Sequence, residues 1–242
     1  MLTVVLAGAG TALVTGLGAV PVFMLGDRAK ALRPMLYGIA GGVMSVASIV
    51  GLLRPALDRG AAAAVAAGLL AGVLFMVVTR RLLQASDLRV GQLRGADVRT
   101  AVLVFAVLFA HSLPEGLAIG TAYASDPAGI GVFVILAIAI QNIPEGTSVA
   151  IPMEASGFGR SQQFWAAVGT SAPQPVGALI AFVAVEQVAA LLPFSFAFAA
   201  GAMLALVAAE LAPPAVAGGW RGIAGLVGGG ALMLGLSALL NV

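Results

Sequence analysis

The chain has 242 residues, 61% of them hydrophobic and 9% charged, with a formal net charge of +2 and a mean hydropathy of +1.09; this composition excludes a water-soluble globular domain. The absence of cysteine excludes disulfides, thiolate metal sites and thiol redox chemistry. The basic residues fall in loops rather than on a face that nucleic acid could use, so no nucleic-acid partner is expected.

A bilayer core about 30 Å thick takes roughly 20 apolar residues per helix. Uncharged runs of that length occur near 1–25, 34–53, 60–79, 100–125, 127–153, 161–185, 187–209 and 222–242, the fourth and fifth each interrupted by one glutamate. These runs are long, continuous and rich in Ala, Leu and Gly, whereas barrel strands would alternate in shorter pieces. The expected fold is therefore an all-α integral membrane protein of eight transmembrane helices, with residues 1–242 forming one domain in the lipid bilayer. A helix satisfies its own backbone polar groups in lipid, and an irregular chain does not.

The first run lacks a basic leading segment and is long for a signal peptide, so it is read as a span. In the second run, Met44 lies near the centre and offers a thioether, although a lone methionine is more often packing. Residues 80–99 form the largest loop, a solvated basic linker without His, to which no chemistry is assigned. With both termini extracytoplasmic, Arg28, Lys30, Arg33, Arg80, Arg81, Arg89, Arg94, Arg99, Arg160 and Arg221 fall inside, and only Arg54 and Arg59 outside. The bias of short loops toward cytoplasmic Lys and Arg favours that orientation in a cell membrane, an inner membrane by expectation.

A carboxylate at a helix centre costs about 2.5–3.5 kcal/mol on the insertion scale. Only Glu115 and Glu145, in the fourth and fifth runs, lie deep in a span, and no Lys or Arg sits at that depth to pair with them. His111, the only histidine, precedes Glu115 by one helical turn, and Gln141 precedes Glu145 by the same step. Two such acids are neutralised by protons or by a shared external cation, and the His and Gln neighbours favour the cation. His111-Ser-Leu-Pro-Glu-Gly116 and Gln141-Asn-Ile-Pro-Glu-Gly146 share their ending and lie on successive, antiparallel spans, which places them at one depth. Pro114 and Pro144 are expected to free the carbonyls of Ala110 and Ile140 and to bend each helix there. Ser112 and Asn142 adjoin these residues as outer support, weak ligands or helix-to-helix hydrogen-bonding groups.

In the sixth run Gln174, between Pro173 and Pro175, sits at matching depth and offers an amide oxygen, as a ligand or as an interhelical hydrogen-bonding group. Glu154 and Glu210 end their spans on the cytoplasmic side, as solvated acids or as acids receiving an outgoing cation. Gly38, Gly41 and Gly42, with Gly225 and Gly229, predict close helix packing, and a homodimer seam is a second reading.

These residues resemble the ZIP (Zrt/Irt-like) family of divalent metal transporters, prokaryotic type. The resemblance is carried by His111-Ser-x-Pro-Glu-Gly, where the family usually shows His-Asn-x-Pro-Glu-Gly, and by Gln141-Asn-Ile-Pro-Glu-Gly. It implies a bundle in which spans one to three and six to eight are inverted repeats around four and five, a 3+2+3 plan. It also implies a two-metal site bridged by the two glutamates. Carried over, Met44, His111, Glu115, Gln141 and Glu145 match the first metal position, and Ser112, Asn142 and Gln174 the second. With Gln174 where the family has a carboxylate, the second position is expected to be weak or empty.

Imidazole, carboxylate, amide and thioether donors suit Zn²⁺, Cd²⁺, Fe²⁺ or Mn²⁺ better than Mg²⁺ or Ca²⁺. The expected activity is import of such a cation, zinc foremost, by alternating access, with the metal as cargo, no cofactor and no catalysis. A proton-coupled carrier of an organic solute, an intramembrane metalloenzyme and a metal sensor are the rivals. The enzyme reading lacks a His-Glu-x-x-His motif and a second histidine.

Overall fold

The fold is described from a computed structural model in which the described residues are 1–85 and 96–242, less the side chains of 27, 84, 85 and 96–100. Residues 86–95 of the loop expected over 80–99, with Arg89 and Arg94, lie outside the described residues, and the two ends of that loop are helical instead, within Ala62–Ala85 and Ala96–Ser125. Among the described residues there is no strand, and eight helices are long and apolar enough to cross a membrane. They are α1 (Leu2–Leu25), α2 (Arg28–Arg59), α3 (Ala62–Leu83), α4 (Ala101–Ser125), α5 (Pro127–Ala155), α6 (Arg160–Gln187), α7 (Ala189–Ala217) and α8 (Trp220–Leu240). The helices outrun the apolar stretches at several ends. Thus α2 carries Arg54 and Arg59 on its last turns, where a long stem can reach the interface.

The two halves of the chain repeat one another feature by feature. Helices α1 and α6 are both broken, at Gly18–Ala19 and at Ser171–Ala172, and each restarts with a proline in its first turn, Pro21 and Pro173, but the breaks are not repeat mates, since Gly18 corresponds to Gly177. Helices α2 and α7 both pass from a 3-10 turn into an α-helix with a proline in its first turn, Pro34 and Pro193, and both widen into a π-helical turn, at Ala47–Leu53 and at Val207–Leu211. Close approaches pair off in the same way. A Cβ at Gly60 would lie 2.3 Å from Pro193, and one at Gly218 would lie 2.0 Å from Pro34. A Cβ at Gly18 would meet Ile143 O and Thr147 N on α5, and one at Gly177 would meet Leu113 O and Leu117 N on α4. Pro34 and Pro193, Gly18 and Gly177, and Met44 and Met203 all share one sequence separation. These correspondences are the inverted 3+2+3 repeat, with α1, α2 and α3 matching α6, α7 and α8, and α4 matching α5.

Lipid tails are as apolar as leucine, so helices in a bilayer associate through close van der Waals packing. Glycines supply it here in two sets of seams. In one group α2 lies on α8 and α3 on α7; a Cβ at Gly42 would come 2.1 Å from Leu226 O, and one at Gly72 would come 2.0 Å from Phe198 O. The other group joins α1 to α5 and α6 to α4, where Gly146 meets Thr15 O and Gly116 meets Gln174 O. Between the groups, α2 touches α5 and α7 touches α4 through side chains, as where Gly51 receives Phe133 and Val134. Gly38, Gly42, Gly225 and Gly229 are thus all used within the chain. Gly42→Val is expected to destabilise by about 1–3 kcal/mol or more through overpacking, whereas Gly228→Val, whose Cβ meets nothing within 4 Å, should leave the melting temperature of the detergent-solubilised protein unchanged.

Candidate metal centre

Four of the sequence-predicted residues converge where α4 and α5 cross. His111, Glu115 and Glu145 are all buried, at 2%, 0% and 3% exposure, and each offers a ligand atom within 4.8 Å of the others. Gln141 is 0% exposed, and its amide Nε2 donates to Glu115 Oε1. Both helices continue unbroken through Pro114 and Pro144. The glycine after each glutamate admits the neighbouring backbone of α6 or α1, so the carboxylates can sit at a tight four-helix junction.

The hydrogen bonds orient these groups. His111 Nδ1 lies 3.1 Å from Val107 O. A carbonyl only accepts, so Nδ1 carries a proton, and Nε2 is the ring nitrogen turned toward Glu145. Nε2 itself lies 3.6 Å from Glu145 Oε2, too far for a hydrogen bond. Among the described residues the buried polar atoms left without a hydrogen-bonding partner include His111 Nε2, Gln141 Oε1 and Glu145 Oε1. Native interiors rarely leave such atoms orphaned, since each forfeits about 1–3 kcal/mol. With the imidazole neutral, these three atoms beside a second carboxylate could hold a cation. Zinc ligands at about 2.0–2.2 Å from the metal stand roughly 3–3.5 Å apart, so an ion would draw these side chains together by about 1 Å.

The other candidates are placed differently. Met44 is 0% exposed in the main apolar core, on a helix that packs against α5. Ser112 donates to Leu108 O at 2.9 Å, within its own helix. Gln174 and Asn142 bond to each other and to Thr11, and Gln174 Nε2 also donates to Glu115 Oε2 at 2.7 Å. Thr11 carries no signal in the sequence, being one hydroxyl in an apolar run, and neither does the Thr15–Ser171 hydroxyl pair, 2.7 Å apart. Of the span-end acids, Glu154 accepts from Gln163 Nε2 at 2.5 Å, and Glu210 pairs with Arg80 at 2.6 Å.

A cavity of about 210 Å³ opens from this centre. Glu145 and Ser148 line its inner end, Tyr37 and Leu108 its wall, and Glu210 its far end. The cavity lies among α2, α3, α4, α5 and α7 and reaches the centre at Glu145.

Comparison with known proteins gives the same reading. The family model described as ZIP Zinc transporter matches residues 79–237. The zinc transporter GufA of Myxococcus xanthus is 36% identical over 88% of this chain and 87% of its own length. The zinc transporter ZIPB of Bordetella bronchiseptica is 36% identical over 98% of this chain and 81% of its own. An Arabidopsis thaliana relative is 35% identical over 88% of this chain, which spans only 34% of that longer protein. Eight apolar helices, an inverted repeat and a paired Pro-Glu-Gly centre stand beside these matches, and the chain belongs to the ZIP zinc transporter family.

Proposed function

We propose that the chain imports a divalent transition-metal cation, zinc foremost, with His111, Glu115, Gln141 and Glu145 as its ligands and Met44 as a further sulfur donor from α2. The observation that carries this reading is the set of buried, partnerless lone pairs on His111, Gln141 and Glu145 facing a second carboxylate. One dication neutralises the two glutamates, which removes the cost of holding two charges in lipid. Residues 1–242 act as a single membrane domain, and the metal is cargo rather than cofactor.

With the termini outside, the cavity bounded by Glu210, which pairs with Arg80, would face the cytoplasm, and we read the conformation as the inward-facing one. The moving interface is the one between the two helix groups, because it is built of side chains and not of glycine backbone seams. Release follows when the group of α1, α4, α5 and α6 rocks against the other.

The test is cadmium titration of the purified protein combined with zinc uptake into proteoliposomes. Saturable binding with uptake supports the reading, and a protein that binds no dication overturns it. Apparent affinity should fall as pH drops below about 6, because protons compete with the metal for the imidazole and carboxylates. An uptake series from pH 7.5 to about 5.5, at fixed free zinc, reads this directly.

A further inference from the structure

The atoms that a second cation would need beside Glu115 are already committed. A backbone carbonyl accepts and never donates, so the 2.8 Å contact from Asn142 Nδ2 to Thr11 O fixes which way the Asn142 amide points. That amide nitrogen also faces Gln174 Oε1 at 3.2 Å, and the Thr11 hydroxyl lies 2.8 Å from the same oxygen, with Gly8 O at 2.9 Å as the other acceptor for its one hydrogen. Gln174 is thereby turned so that its Nε2 donates to Glu115 Oε2 at 2.7 Å. Thr11, Asn142, Gln174 and Glu115 are all essentially sealed from outside, at 3%, 0%, 0% and 0% exposure.

We infer that the protein itself fills the second metal position: Asn142 and Thr11 orient the Gln174 amide so that its N–H hydrogens stand in for a cation on Glu115, and the transporter carries one dication at a time. This rests on the function proposed above. Charge supports it. One dication on two glutamates leaves the centre neutral, whereas two would leave it doubly positive at the membrane midplane with no further acid at hand. Asn142 is then a positioning residue, not a ligand, and Ser112, bonded to Leu108 O, is not a ligand either.

Glutamate at 174 reverses the sign of the contact. One of its oxygens would keep the Thr11 and Asn142 donors, and the other would replace Nε2 against Glu115, where two carboxylates face each other unless a cation lies between them. Wild type and Gln174→Glu, each purified in nanodiscs, are titrated with Cd²⁺ by calorimetry, with bound metal counted after desalting. The expected result is one cadmium per wild-type chain and two per variant chain, with a larger cadmium-induced rise in melting temperature for the variant. Two cadmium ions per wild-type chain overturn the inference while leaving the proposed function standing; no cadmium on wild type overturns the proposed function itself. If the variant folds only with metal, it is purified in cadmium and counted directly, and a single ion there also sinks the inference.

Discussion

Glu115→Gln combined with Glu145→Gln should abolish zinc uptake into proteoliposomes while making the metal-free protein more heat-stable. The two effects have one cause. Both carboxylates are buried at the level of their helices' centres, Glu115 accepts from the Gln141 and Gln174 amides, and His111 lies beside Glu145. Glutamine keeps the size but removes the buried charge, and with it the cost of holding an ionised carboxylate, or of keeping it protonated, away from water. The same change leaves a dication with no anionic ligand. Affinity should fall by well over about 100-fold, since even altering outer-shell partners of metal ligands costs about 10–100-fold. Melting curves with and without cadmium separate the outcomes: the wild type should show a metal-dependent rise, and the double variant should start higher and not respond. Wild-type uptake by the double variant would remove the electrostatic basis of the assigned centre.

Much of this centre was legible in the sequence because a membrane makes polar residues informative. Glu115 and Glu145 stand out since lipid gives an acid no cheap place to sit, and the repeated Pro-Glu-Gly ending marks them as a pair. His111 and Gln141 follow from helical spacing. Gln174 was visible as a polar residue at the right depth, but its role was not, because an amide reads as donor or acceptor only once its neighbours are known. Thr11 was invisible for the same reason. The inverted repeat was equally hidden as identity: Thr15 corresponds to Gln174, and Gly51 to Glu210, so the halves share backbone geometry more than side chains. What survives in both are the positions where backbones touch, such as Gly18 and Gly177, or where a helix starts, such as Pro34 and Pro193. The glycines of α2 and α8 announced close packing, but only the structure shows that they face each other.

The repeat also yields a prediction about the opposite conformation. If alternating access exchanges the conformations of the two halves, residues that seal the outer side must be the repeat mates of those lining the open cavity. The cavity wall includes Tyr37, Val107 and Leu211; their mates at the matching separations are Phe196, Ala137 and Leu52, which are all 0% exposed. Glu145 in the cavity likewise has Glu115, 0% exposed, as its mate. The chain has no native cysteine, so single substitutions report cleanly. Val107→Cys should react with a membrane-impermeant thiol reagent from the cytoplasmic side, and Ala137→Cys only from outside and only while the carrier cycles. In a Val107→Cys, Ala137→Cys double variant, a bulky adduct at residue 107 should hold the inward-open state and suppress outside labelling at 137 by at least about 10-fold. That factor corresponds to a population shift of about 1.4 kcal/mol, small beside the cost of forcing an adduct into a closed core. Outside labelling of Ala137→Cys that is indifferent to the adduct would mean that the two sides open independently, as in a channel, and that the repeat does not act as the exchange element of a carrier.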